Sequence, residues 1–152
     1  MKKPTITHKN GNNANTVLYA AYRIGNLVKW KDEEAECYLT ITGIVLNDII
    51  WVEWEWEDGE RDDTDCLINS ISGIKLTEEL MLRLGFEKRQ ETAISIEVLD
   101  YYSLDGYCFM EDWEGKWFLT GYNWNTEHFE YLHQLQNIFY ALSGEELYLS
   151  GI

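Results

Sequence analysis

The clearest pattern in this sequence is a regular alternation over residues 49–57. The even positions hold Ile, Val and two Trp, and the odd positions from 51 onward hold Trp51 and three glutamates. Because successive side chains of a strand point to opposite faces, the alternation predicts a strand with its even residues inward and its glutamates outward. The Asp-Gly pair at 58–59 predicts a hairpin turn. The partner strand is expected over residues 65–70, and its continuation to 74 is left open.

Two segments show apolar residues at helical spacing instead. Residues 77–84 begin with Thr77, a suitable N-cap, and are followed by Gly85. Residues 130–142 carry apolar residues along one face and precede Gly144. The pattern therefore predicts two helices.

Shorter strand-like segments surround the helices. Strands are predicted over residues 26–30, 37–44, 93–99, 107–113 and 116–122, with a further edge strand over 145–149. Runs of strands thus precede each helix, without the regular alternation of a βαβ fold. This order predicts the α+β class, with a mainly antiparallel β-sheet or small barrel-like sheets and two helices.

The length of 152 residues suits one domain. Residues 1–14 are polar and basic, which predicts a flexible tail, and residues 15–152 are expected to form a single α+β domain. A division into an N-terminal β part (23–75) and a C-terminal β/helix part (76–152) is left open.

Cysteine usage and hydropathy favour a cytoplasmic protein. The three cysteines, Cys37, Cys66 and Cys108, show no zinc-site spacing and are expected to be reduced and mostly buried, with one disulfide left open as an alternative. No apolar run approaches the ~20 residues of a membrane-spanning helix.

Charge is distributed very unevenly along the chain. All 27 acidic residues lie at or after Asp32, where only six of the 12 Lys and Arg residues lie, so residues 32–152 carry 21 net negative charges (6 minus 27). Residues 53–65 alone hold eight acids and one Arg. Such a chain repels nucleic acids and anionic membranes, and it suits a basic protein partner.

The acidic hairpin, defined as the two predicted strands and their turn, is the main candidate interface. Trp54 and Trp56 are expected in the core, whereas Trp51 is expected at the surface beside the carboxylates. Aromatic residues are frequent at the centres of protein interfaces. The partner-binding candidates are Trp51, Glu53, Glu55, Glu57, Asp58, Glu60, Asp62, Asp63 and Asp65, joined by Glu111, Asp112, Trp113 and Glu114.

The sequence supports a catalytic or metal-binding role of these acids less well than a role in binding a protein. Glutamates two apart on a strand lie ~7 Å apart, but glycoside hydrolysis needs two carboxyl groups in different environments across a cleft. An EF-hand loop starting at residue 53 fails, because glycine arrives at the seventh place instead of the sixth. Neither a P-loop nor a nucleophile elbow is present. No catalytic residue, metal or cofactor is predicted.

A second candidate site lies on the C-terminal helix. His133 and Asn137 are four residues apart and can share a face, with Gln136 beside them. This polar patch could bind a small ligand. Alternatively, its side chains satisfy neighbouring backbone groups.

Three segments together resemble a known family. They are RIGNLV at 23–28, IKLTEEL at 74–80 with LGF at 84–86, and EYLHQLQNIFYALSGEEL at 130–147. The chain resembles small uncharacterised proteins of phages and related mobile elements of gut-type bacteria, whose pattern is RIGN, PLTEEWLLKFGF and YVHQLQNLYFALTGEEL. This chain lacks the proline of the second motif, and the family pattern has no counterpart of the acidic stretch 53–65. The resemblance implies that the protein originates from a phage or related mobile element and has a non-enzymatic role.

These observations give one leading hypothesis and two alternatives. The leading one is a phage or mobile-element interaction protein whose acidic surface binds a basic surface of a host protein, with a nucleic-acid-mimicking inhibitor of a defence nuclease as one form. The alternatives are a small-ligand-binding protein and a structural phage component. The sequence leaves the oligomeric state open.

Overall fold

The computed structural model describes residues 22–31, 37–45, 48–92, 98–121, 124–125 and 128–149. Within these residues two antiparallel sheets and two helices confirm the predicted α+β class. The predicted tail (1–14) lies outside the described residues.

The first sheet is formed by the N-terminal half of the chain. Its strands are β1 (Leu27–Trp30), β2 (Leu39–Val45), β3 (Ile49–Glu55), β4 (Arg61–Leu67) and β5 (Ile71–Gly73), and a 3₁₀ turn (Ile68–Ser70) joins the last two. The strand order is β4-β3-β2-β1-β5. Strands β1 to β4 thus form a meander, and β5 returns to pair with β1. Such a topology carries no function by itself.

The inward side chains of this sheet form their own core. They alternate along the strands with exposed ones, as expected for a sheet with one buried face. The buried members are Val28, Trp30, Leu39, Ile41, Ile50, Val52, Cys66, Ile68 and Ile71.

The second sheet follows the first helix, α1 (Glu78–Arg83). Its strands are β6 (Glu87–Thr92), β7 (Val98–Leu104), β8 (Tyr107–Glu111), β9 (Trp117–Gly121) and β10 (Trp124–Asn125), and they pair in sequence order. The second helix, α2 (Leu132–Ser143), ends at Gly144, whose φ of 75° is left-handed as the helix stop requires. Both predicted helices are therefore confirmed within two residues at each end.

The larger core joins the two halves of the protein. It contains Leu27 from β1 and Ile74, together with residues of both helices and of the second sheet, among them Met81, Trp117 and Leu135. Strand β1 contributes Leu27 to this core and Val28 and Trp30 to the core of the first sheet, so one strand borders both cores.

Several predicted strands were wrong in position. Strand β6 (Glu87–Thr92) was missed, because its described side chains, Glu87 to Gln90, are all exposed and show no apolar alternation. Backbone pairing with β7 holds it in place. Of the strand predicted over 93–99, residues 93–97 lie outside the described residues, and residues 98–99 are the first two of β7. No strand is present over 145–149, where the chain has no regular secondary structure.

The partner of β3 also begins earlier than predicted. Strand β4 covers Arg61–Leu67, instead of residues 65–70. The backbone hydrogen bonds of Trp56 explain the difference: its N–H bonds to the Glu60 carbonyl at 2.7 Å, and its carbonyl accepts from Gly59 at 2.9 Å. The turn thus runs from Trp56 to Glu60, with Gly59 in the left-handed conformation, and the acidic residues that follow it belong to the strand.

Two of the three segments that carry the family resemblance, 23–28 and 130–147, meet at one joint. Arg23 donates to both carboxylate oxygens of Glu146, at 2.7 Å for the Nη2–Oε2 pair, and its guanidinium lies 4.3 Å from the centre of the Tyr140 ring. The side chain of Asn26, which is fully buried, accepts from the Arg23 N–H at 2.8 Å and donates to Asn137 at 2.9 Å. These contacts fix the entry to β1 against the end of α2.

Gly73 lies close against Tyr131 and His133 at the start of α2. A Cβ atom at this position would lie 2.8 Å from Tyr131 Cδ1 and 3.0 Å from His133 Cε1. We therefore expect Gly73→Ala to lower the free energy of unfolding by about 1–3 kcal/mol through overpacking. Chemical denaturation measures it, with Ser72→Ala as the matched control on the same strand. Equal stabilities of the two variants would contradict the close contact.

Candidate protein-binding surface

The acidic hairpin (β3, β4 and the turn between them) brings carboxylates of two strands onto one face. Across the two strands Trp51 lies opposite Asp65, Glu53 opposite Asp63, and Glu55 opposite Arg61. Directly opposed side chains have Cβ atoms ~5 Å apart, and like charges in such pairs are destabilising. The Glu53–Asp63 pair therefore places two carboxylates side by side. Neither forms an ion pair within the described residues.

The only cation in the hairpin neutralises little of this charge. Arg61 Nε lies 3.1 Å from Glu55 Oε2, and both side chains are exposed. Seven of the eight hairpin carboxylates thus lack a cationic partner within the hairpin itself. With eight carboxylates and one arginine, residues 53–65 carry seven net negative charges (1 minus 8). The exposed ion pair itself contributes ~0–1 kcal/mol.

The opposite face of the hairpin combines tryptophans with more acids. Trp54 lies across from Asp62 and is half-buried against the core of the first sheet. Its ring centre lies 6.3 Å from that of Trp30 and 5.9 Å from that of Trp56, and both pairs are edge to face. Trp51 is 43% exposed, as predicted.

The predicted burial of Trp56 was wrong. Its side chain is 36% exposed. The register between β2 and β3 ends at the Thr40–Glu53 pair, so Trp56 lies beyond the part of the sheet that covers the core. The alternation correctly assigned its face, but the length of the neighbouring strand determined its exposure.

The hairpin turn carries the remaining acids outward. Glu57, Asp58 and Glu60 are exposed. Asp58 Oδ1 accepts from the Glu60 N–H at 3.0 Å, and Gly59 has a φ of 83°, which favours glycine. The tip therefore has a defined backbone shape and presents three carboxylates.

The second acidic candidate group lies in the turn between β8 and β9 and has mainly structural contacts. Asp112 Oδ1 accepts from the N–H groups of Glu114 (2.8 Å) and Lys116 (2.9 Å), and Oδ2 lies 2.9 Å from His128 Nδ1. These backbone hydrogen bonds, that of Lys116 foremost, lower the pKa of Asp112.

The acidic and aromatic neighbours of Asp112 differ in whether they form an ion pair. Glu114 is paired with Lys116 at 3.1 Å, whereas Glu111 is exposed and Trp113 is 89% exposed. This turn and the acidic hairpin belong to different sheets.

A cleft of about 450 Å³ runs beside the acidic hairpin. Glu53, Glu55 and Arg61 line one side, and the segment after α2 lines the other. Of the residues predicted from the sequence to bind a ligand, Gln136 lines this cleft, whereas His133 and Asn137 are not among its lining residues. The side of the cleft beside the acidic hairpin was not predicted, because the walls are far apart in the sequence. The remaining lining residues are Ile24, Gly25, Leu27, Tyr38, Thr40, Trp54, Gln136, Glu146, Leu147, Tyr148 and Leu149.

The amide side chains of the second candidate site bond to neighbouring parts of the chain. Gln136 is 1% exposed; its Oε1 accepts from the Leu27 N–H at 2.9 Å, and its Nε2 donates to the Leu147 carbonyl at 3.4 Å. Asn137 Oδ1 accepts from Asn26. These contacts are the ones expected under the structural alternative. Ligand binding at this patch stays a prediction.

His133, the third member of that patch, lies between two aromatic rings. Its ring centre is 4.5 Å from that of Tyr22 and 5.8 Å from that of Tyr131. Burial lowers the pKa of His133 to about 4. The imidazole is therefore neutral at pH 7, with its buried Nδ1 lacking a hydrogen-bond partner within the described residues.

The cysteines and the helices add no further site. Cys66 is buried, which raises the pKa of its thiol to about 11, and Cys37 and Cys108 are half-buried. The described part of the chain contains no group of three or more His, Cys, Asp or Glu side chains placed to hold a metal ion. Neither helix seen in these residues has the length and apolar character of a membrane span.

Comparisons with protein-family models, curated proteins and solved structures gave no match for this chain. The functional argument therefore depends on the geometry of the acidic hairpin and the cleft.

Proposed function

We propose that this protein binds a basic surface of a host protein through its acidic hairpin. It acts by occlusion, without catalysis, in the cytoplasm of a cell that carries a phage or related mobile element. A nucleic-acid-binding effector is the partner class that fits best, because its Lys- and Arg-lined channel already accommodates a dense row of anions.

The observation that carries this proposal is the opposed pair Glu53 and Asp63. A purely structural sheet gains nothing from two carboxylates directly across from each other, and the arrangement opposes folding by ~0.2–1 kcal/mol. A cationic partner would relieve that repulsion and make the pair favourable. The exposed Trp51 beside it offers the apolar contact that often anchors an interface.

Charge reversal on β4 tests this function. The triple variant Asp62→Lys, Asp63→Lys, Asp65→Lys should lose at least 90% of partner capture from a bacterial lysate, an order-of-magnitude expectation for removal of an electrostatic interface. The matched control carries Glu79→Lys, Glu87→Lys and Glu145→Lys. Both variants change the net charge by six, from −15 to −9.

The readout is the set of proteins captured by the immobilised wild-type protein and by the control, but not by the β4 variant. Capture should fall steeply between about 0.05 M and 0.3 M salt, since screening shortens the reach of exposed charges. Duplex DNA should compete for the same partner. Equal capture by the β4 variant and the control would refute the acidic hairpin as the interface.

A further inference from the structure

The cleft has one side that is negative and walls that are partly apolar. Three of its lining residues are carboxylates, Glu53, Glu55 and Glu146, and one is a cation, Arg61, so the lining carries a net charge of −2 (1 minus 3). Glu55 is paired with Arg61, and Glu146 with Arg23. Glu53 is the lining carboxylate that has no ion pair among the described residues.

Apolar and aromatic side chains at the cleft remain open to solvent. Tyr148 is 78% exposed and Ile24 is 57% exposed, and both line the cleft. Carboxylates beside exposed aromatic and aliphatic side chains match a ligand side chain that has a cationic head and an apolar stem. A volume of about 450 Å³ is within the range of ordinary ligand pockets.

The protein itself shows how an arginine fits such surroundings. Arg23 binds Glu146 through two nitrogen–oxygen contacts while its guanidinium lies over the Tyr140 ring. A planar guanidinium can pair with a carboxylate and stack on a ring at once, which a compact ammonium group does less well. Glu53 and Tyr148 offer the same two kinds of contact within the cleft.

We propose that the cleft receives an arginine side chain of the basic partner, with Glu53 as its carboxylate and Tyr148 as its aromatic wall. This inference rests on the proposed function and specifies where the partner's key residue binds. The occupant is a segment of a protein, because the cleft is continuous with the acidic hairpin that contacts the rest of the partner's surface.

A peptide titration tests the assignment on the full chain. The probe is a short Gly/Ser peptide with three arginines, and matched peptides carry lysine or glutamine at those positions. Amide and indole NMR signals of the ¹⁵N-labelled protein report the site. We expect saturable shifts centred on Gly25, Thr40, Trp54 and Tyr148, weaker binding of the lysine peptide, and no saturation with the glutamine peptide.

Two variants of β2 separate occupation of the cleft from general charge. Thr40 lines the cleft opposite Glu53, so Thr40→Arg places a guanidinium of the protein itself there. It should abolish the saturable shifts. Thr42→Arg adds the same charge on the same strand at an exposed position outside the cleft lining, and it should leave them unchanged. Glu53→Gln should weaken the binding of the arginine peptide about tenfold without filling the cleft.

The outcomes that overturn the assignment are distinct from those that overturn the proposed function. Equal effects of Thr40→Arg and Thr42→Arg would refute the cleft. The assignment would also be refuted if agmatine, a free guanidinium compound, bound the cleft as tightly as the peptide, because the site would then be one for a small molecule. If Thr40→Arg retains partner capture while the β4 variant loses it, the proposed function stands and the cleft assignment fails.

Discussion

Replacing Gln136 by leucine should lower the free energy of unfolding by about 2–3 kcal/mol. The side chain is almost fully buried and bonds to the Leu27 N–H and the Leu147 carbonyl. Leucine is of similar size but bonds to neither group, so the buried N–H at the start of β1 loses its acceptor. An unsatisfied buried donor costs about 1–3 kcal/mol, and the loss at Leu147 adds to it. Urea denaturation followed by tryptophan fluorescence measures the change.

The matched control for this substitution is Gln90→Leu. Gln90 is exposed on β6, where its amide bonds to Asp100 at 2.8 Å. Water can replace that contact, so the control should change stability by less than about 0.5 kcal/mol. If both leucine variants have the same stability as the wild type, the joint between β1 and α2 is not held by Gln136.

The stability of the protein should fall by about 2 kcal/mol between pH 7 and pH 5 because of His133. Burial holds the pKa of the folded histidine at about 4, below its ordinary value of 6.5. Between these two values the unfolded chain binds a proton that the folded protein does not. The stabilisation is therefore complete above about pH 6.5 and is lost as the pH falls towards 4, with one pKa unit equal to about 1.4 kcal/mol.

A variant without the titrating group isolates this effect. His133→Phe keeps an aromatic ring between Tyr22 and Tyr131 but cannot bind a proton. Its unfolding free energy should change less between pH 7 and pH 5 than that of the wild type. If His133→Phe and the wild type have parallel pH profiles, the buried histidine does not cause the acid sensitivity.

Local patterns predicted the parts of the fold that depend on near neighbours. The alternation at 49–57 assigned the faces of β3, because the two-residue period of a strand is independent of what lies beside it. The capping and glycine signals placed α1 and α2 within two residues, since helix ends are set by hydrogen bonds within one turn. Strand β6 gave no such signal, because its described side chains all face solvent.

The sequence likewise determined the negative charge of the hairpin and the outward position of Glu53, Glu55 and Trp51. The tertiary structure decided what those residues border. Glu53 faces a cleft because the chain after α2 returns to the first sheet, and Trp56 is exposed because β2 ends its pairing early. Both features depend on contacts between residues far apart in the chain, which no local period encodes.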